Sequence, residues 1–349
     1  MTETSLSGTH LSGAMTTADV TKNTTAGGNT TSSSSRGAEF YLQCVALVIG
    51  IIGTATNALI LYAMVASKQH KKHVLIFNQN VLDFVSCVLM IITYSLKVSD
   101  IYLRGTIGYL LCTLVLSEGL ISSTLIGSIL NLVAITIERY VKIAHSAWSQ
   151  KHLRKWMTYF AVAFSWIVGI IYTLSSVFTT TVVIDGTCYA FAIWENEILR
   201  LMPAIAGFIF MYFNVLVIFI FCYWRILVTI RRQAAVMASH GTASGPIAGQ
   251  TQSQQIQSSV IKTMILVCAF YAISWLSNNV CIFLIQLSPN PLLYYSAYYA
   301  SVFFVFLYTA TNPFIYVAKF DPVRNILLGL FSCRSPSEQA TQNVAYTGN

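Results

Sequence analysis

"AITIERYVKIAH", residues 134–145, is the stretch on which the fold turns. The apolar run that leads into it, Ile107–Ile137, holds a single charged residue, Glu118, and stops on Glu138, Arg139 and Tyr140 rather than on a turn. About 20 apolar residues at 1.5 Å rise cross the roughly 30 Å of hydrocarbon in a bilayer, so this run is a membrane span with charges marking its end. Working outward, six more runs have that length: Tyr41–Ala66, Val74–Lys97, Trp156–Phe178, Leu201–Trp224, Thr263–Leu287 and Leu292–Ala318.

Composition agrees. Of 349 residues, 55% are hydrophobic and 9% charged, against roughly 25% charged in a soluble domain. Unpaired backbone groups cannot face lipid, and a membrane β-barrel would show short alternating segments, so the fold expected is all-α: a seven-transmembrane helix bundle over residues 41–319. Residues 1–40, rich in Ser, Thr and Gly, read as a disordered extracellular tail with two glycosylation sequons, at Asn23 and Asn29. No signal-peptide core precedes the first span, which must serve as its own membrane signal. Residues 320–333 read as an amphipathic juxtamembrane helix ending at Cys333, a site for palmitoylation or a plain juxtamembrane thiol, and 334–349 as a cytoplasmic tail.

Lys and Arg set the orientation. With the N-terminus outside, Lys68, Lys71, Lys72, Arg139, Lys142, Lys151, Arg154, Lys155 and most of the remaining basic residues fall on the cytoplasmic side, against Lys22, Arg36, Lys97, Arg104 and Arg200 outside. The net charge of +8 then belongs largely to one face, which suits anionic lipid and an acidic protein partner rather than nucleic acid. Between the fifth and sixth spans, "MASHGTASGPIAGQTQSQQIQS", residues 237–258, reads as a flexible loop, with Ile226–Arg232 and Gln257–Lys262 prolonging the flanking helices.

Cys44, Cys87, Cys222, Cys268 and Cys281 fall inside apolar runs and read as small buried hydrophobes. Cys112 and Cys188 both face the oxidising side, where they are candidates for one disulfide or remain two free thiols. All six histidines lie outside the spans, so no metal site of ordinary spacing forms in the membrane. Two carboxylates lie within the runs, Asp83 and Glu118, where charge is costly and usually functional. Asn57, Ser128 and Asn312 are the expected neighbours of Asp83. That cluster is able to bind a small cation such as sodium with water, or to be a hydrogen-bonded network with no ion.

Glu138-Arg139-Tyr140 closing the third span, Asn312-Pro313-Phe314-Ile315-Tyr316 closing the seventh, Trp166, Trp275, Asn57 and Asp83 together resemble the rhodopsin-like (class A) G-protein-coupled receptors, over about Tyr41 to Cys333. The resemblance implies a plasma-membrane receptor and no enzyme. An extracellular ligand would rearrange the cytoplasmic face to activate a heterotrimeric G protein, with arrestin and a receptor kinase as further partners. It also implies that Glu138 pairs with Arg139 as a latch, that activation turns Arg139 toward Tyr223, and that a kink at Pro313 swings Tyr316 inward. The ligand pocket would involve Glu118, Ile121, Trp275, Asn279 and Tyr298.

This chain departs from the family pattern in three places. Ser277 stands where the sixth span usually has proline, Val215 where the fifth does, and about two extra residues separate Cys112 from Arg139. The seventh span has no lysine for a retinal Schiff base, and the usual amine-binding Asp is replaced by Ile121 or Gly119, depending on register. Asp185, Glu195 and Glu197, with Tyr294, Tyr295, Tyr298 and Tyr299, suit a basic or amidated peptide of the kind invertebrate receptors bind, or form a tyrosine belt with solvated acids. The competing class is a seven-helix ion transporter or channel using Asp83 and Glu118.

Overall fold

The computed structural model describes residues 29–99, 101–189, 197–240, 248–287, 292–317 and 321–331. The chain divides at Gln43 into an N-terminal unit, Met1–Gln43, and the bundle, Cys44–Asn349.

The first span is α1 (Asn29–Ala66) and the second α2 (Val74–Val98). The third is built from α3 (Gly105–Leu111), a π turn (Cys112–Leu116) and α4 (Gly119–Ala144). After the short α5 (Ser146–His152) comes the fourth span, α6 (Lys155–Thr180), and then a hairpin, β1 (Val182–Ile184) with β2 (Thr187–Tyr189). The fifth span is α7 (Glu197–Gly207), a second π turn (Phe208–Phe213) and α8 (Asn214–His240). The sixth is α9 (Ala248–Leu287), the seventh α10 (Leu292–Val317), and α11 (Asp321–Phe331) follows.

Among the described residues six of these helices are long and apolar enough to cross a bilayer, and Ala300–Asn312 of the seventh forms a shorter apolar stretch. Their outer faces carry large exposed side chains, among them Ile51, Trp156, Phe160, Phe210, Ile220 and Trp224. Such faces suit lipid rather than water. Inside, protein contact replaces lipid contact, so close van der Waals packing rather than the hydrophobic effect holds helix to helix. The third span is the hub: 67% of its most apolar stretch is buried, against 22% to 39% in the other five long spans. Its α4 packs on α2, α6 and α8. The approach to α6 is so close that a Cβ on Gly169 would lie 2.5 Å from the backbone oxygen of Ser123.

Three expectations change. The third span is not one continuous helix, because the π turn hands over at Glu118, whose φ of 63° is left-handed, before α4 begins. A π turn bonds i to i+5 and so takes up a surplus residue, and the left-handed break at Glu118 follows it, both lying between Cys112 and Arg139. The helical ladder of α1 starts at Asn29 rather than Tyr41, so residues 29–40 extend a helix instead of forming a coil. Most of the expected loop at 237–258 is likewise helical, α8 running to His240 and α9 starting at Ala248.

Candidate functional site

At one end of the bundle Cys112 and Cys188 are bonded, with Cα atoms 5.4 Å apart. The hairpin that carries Cys188 turns through Asp185 (φ 50°) and Gly186 (φ 77°), a positive-φ pair matching the two-residue turns that suit strand twist. Val183 opposes Cys188 across the ladder. Leu103 N–H donates to the Gly186 carbonyl at 2.9 Å, tying the hairpin to the segment that leads into the third span. "IDGT" is a hairpin signal that spacing alone could have found.

Below it Glu118 faces α2. Lys97 Nζ stands 2.6 Å from Glu118 Oε1, and the Tyr94 hydroxyl donates to the same oxygen at 2.8 Å. Both charged side chains are about one-fifth exposed, at 23% and 22%. The expectation of Glu118 as a ligand-pocket residue is therefore corrected, because Lys97 and Tyr94 already hold its carboxylate. Ile121 is also corrected: it is 1% exposed and packs with Met90, Tyr94, Leu125 and Phe306 as core. Asn279 Nδ2 donates to the Trp275 carbonyl at 2.7 Å, drawing on a backbone acceptor beside Ser277, and Ser301 Oγ donates to Asn278 Oδ1 at 3.2 Å. Trp275 packs against both apolar clusters of the core, one toward each end of the bundle.

Midway, the structure brings the expected cluster together. Asp83 is fully buried; Asn312 Nδ2 donates to its Oδ2 at 2.8 Å and Ser128 Oγ to its Oδ1 at 3.0 Å. Asn57 stands slightly apart, donating to the carbonyls of Gly53 at 2.9 Å and Thr309 at 3.4 Å. Sequence reasoning missed Gln79 and Asn131. Gln79 Nε2 donates to Ser128 Oγ and lies 3.5 Å from Asp83 Oδ1, and Asn131 Nδ2 donates to Gln79 Oε1 at 2.8 Å. Asn78 Nδ2 then donates to Asn131 Oδ1 at 2.9 Å, and Trp166 Nε1 to Asn78 Oδ1 at 3.0 Å. Helical spacing offered a signal, since Gln79 precedes Asp83 by four residues and so shares its face.

At the opposite end the expected Glu138–Arg139 pair is absent. Adjacent helical residues do not face each other, whereas i and i+4 do, and Glu138 pairs with Lys142. Arg139 Nη2 instead lies 3.4 Å from His73 Nδ1. Arginine can only donate, so His73 accepts on Nδ1 and is neutral. Burial first, then the neighbouring Arg139 charge, lowers the His73 pKa to about 4. Tyr140 OH and His145 Nε2 are 3.1 Å apart. Tyr223 lies with its hydroxyl 3.3 Å from Thr136 Oγ1, and Cys268 Sγ donates to it at 3.7 Å. The side chains of Tyr298, Pro313 and Tyr316 on α10, that of Asn29, and residues Asn23 and Cys333 lie outside what the structure describes.

Six helices long and apolar enough to cross a bilayer, a shorter apolar stretch in the seventh, and a polar core define, among the described residues, a multi-pass membrane protein. The chain belongs to the 7 transmembrane receptor (rhodopsin family), whose sequence model matches residues 56–316. It is similar to galanin receptor type 1 of Rattus norvegicus, 22% identical over 315 residues that cover 86% of this chain and 85% of that receptor. It is 23% identical to the substance-K receptor of Mus musculus over 86% of this chain and 78% of the relative. With the melatonin receptor type 1A of Phodopus sungorus it shares 24% identity, over 84% and 81%.

Proposed function

We propose that this G-protein-coupled receptor sits in the plasma membrane with its N-terminus and disulfide end outside, takes a peptide ligand there, and presents Arg139 to a heterotrimeric G protein inside. Arrestin, a receptor kinase and anionic lipid are partners of the same inner face. The observation that carries the reading is Arg139, placed at the end of the hub helix and held by a neutral ring rather than by a carboxylate.

A switch needs two arrangements separated by a few kcal/mol, and a ligand shifts between them only by its differential affinity. Here the resting arrangement keeps Arg139 on His73, while Trp275 links the two apolar clusters and so couples the ligand end to the Arg139 end. Movement of the sixth and seventh spans, eased by Asn279 competing for the Trp275 carbonyl and by Pro313, turns Arg139 toward Tyr223 and the G protein.

Two facts support a peptide over an amine. Glu118 is already neutralised by Lys97, and two of the relatives named above are receptors for the peptides galanin and substance K. Asp185 at the hairpin tip suits a basic or amidated ligand. A peptide library applied to cells expressing the chain, with calcium and cyclic-nucleotide readouts, tests the assignment. A hit should lose its response in Arg139→Ala while surface expression persists. An undiminished response in that variant refutes the role given to Arg139.

A further inference from the structure

We propose that the Gln79 carboxamide stands in the place a cation would take beside Asp83, so that the buried cluster is closed to sodium. The direction of the hydrogen bonds that run from Asn78 to Gln79 follows from Trp166, whose indole nitrogen can only donate. Because Trp166 donates to Asn78 Oδ1, Asn78 presents its NH₂ to Asn131 Oδ1. Asn131 in turn presents its NH₂ to Gln79 Oε1 and to the Leu75 carbonyl, at 2.8 and 2.9 Å. With its oxygen committed there, Gln79 has only N–H to offer Ser128 and Asp83.

A hard cation needs oxygen acceptors, and on this side of the carboxylate it meets N–H groups and a single hydroxyl oxygen, that of Ser128. The Ser128 hydroxyl donates its proton to Asp83 Oδ1 and accepts from Gln79 on its oxygen. Turning the Gln79 amide round would present an oxygen, but would set its NH₂ against the NH₂ of Asn131. Within the described cluster around Asp83 two amide oxygens lack a hydrogen bond, Asn57 Oδ1 and Asn312 Oδ1. Together with Asp83 Oδ2 and the remaining lone pair of Ser128 Oγ they make four candidate ligands, short of the about six that hard cations take. The residues present therefore do not fit a cation on the Gln79 side of the carboxylate, and the reading of Asn57, Asp83, Ser128 and Asn312 as a sodium site gives way to a hydrogen-bonded network joining the second, third, fourth and seventh spans.

The test is thermal unfolding of the full chain in lipid nanodiscs, in sodium chloride against choline chloride at equal ionic strength. Wild type should melt at the same temperature in both. Gln79→Ala removes the carboxamide and opens its space to the ion and its water, so it should acquire a sodium-specific rise of about 2 °C or more once the ion exceeds its Kd tenfold. A sodium-specific rise in wild type overturns the proposal, and so does a Gln79→Ala protein as indifferent to sodium as its parent. If that variant does not fold, Gln79→Ser replaces it, and the wild-type comparison decides alone if neither folds. No ligand or G protein enters the assay, so its failure leaves the receptor reading standing.

Discussion

Replacing His73 by alanine removes the acceptor that Arg139 uses in the resting bundle, and the structure sets the size of the effect. A hydrogen bond to a charged group contributes about 1.5–3 kcal/mol, but at 3.4 Å this one exceeds the usual range of about 2.7–3.2 Å, so about 1 kcal/mol is the fair figure. That is roughly a fivefold change in an equilibrium constant. Ligand-free nucleotide exchange, measured with purified heterotrimers and the receptor in nanodiscs, should rise about fivefold in His73→Ala. His73→Gln, which keeps an acceptor, should stay near wild type. Glu138→Gln breaks only the partly exposed pair with Lys142 and should change basal exchange less than about twofold. The reasoning is refuted if Glu138→Gln activates the receptor and His73→Ala does not.

Acid should act on the same contact. The groups around His73 are Arg139, Glu138, Lys142 and Lys72; the three cations lower its pKa and Glu138 raises it, while burial dominates. A base whose folded pKa lies near 4, below its usual 6.5, binds fewer protons folded than unfolded. The stability it contributes is therefore complete above about pH 6.5 and is lost as pH falls from there toward 4. Wild type should lose more melting temperature than His73→Gln on going from neutral pH to about pH 5. Equal losses in the two proteins would remove His73 as the cause.

The remaining expectations concern the bundle and its outer end. Cys112→Ser and Cys188→Ser should lower stability equally, by about 2–5 kcal/mol, because each opens the same 76-residue separation; unequal melting temperatures would argue against the bond. Gly169→Ala drives a methyl against the Ser123 carbonyl and should cost about 1–3 kcal/mol, which a normal melt would contradict. Glu118→Gln leaves Lys97 without its counter-charge, so it should destabilise more than the Lys97→Met/Glu118→Gln double variant. Additive losses in that cycle would mean the pair is not coupled.

Much of this was legible in the sequence wherever a single element decides the matter. The second span begins at Val74 as read and ends at Val98, one residue beyond the expected Lys97, because hydropathy and length fix a lipid-crossing helix without reference to its neighbours. The meeting of Asp83 with Ser128 and Asn312 was also expected. What escaped depends on relations between elements. Nothing in the composition of Cys112–Leu116 encodes a π turn, and only the surplus residues before Arg139 pointed to irregularity there. Gln79 and Asn131 are single polar residues in apolar runs until α2 and α4 pack together. His73 lies just outside a span, where charge and hydropathy draw no attention, and the Glu138–Arg139 reading overlooked the 100° that separates neighbours on a helix.

The most direct test of the central claim is nucleotide exchange on purified heterotrimeric G proteins by the reconstituted chain, wild type beside Arg139→Ala. The account requires wild type to accelerate exchange on at least one heterotrimer and Arg139→Ala to lose that acceleration while remaining folded. Sustained exchange in Arg139→Ala, or ion flux through the same vesicles with no exchange at all, would contradict it.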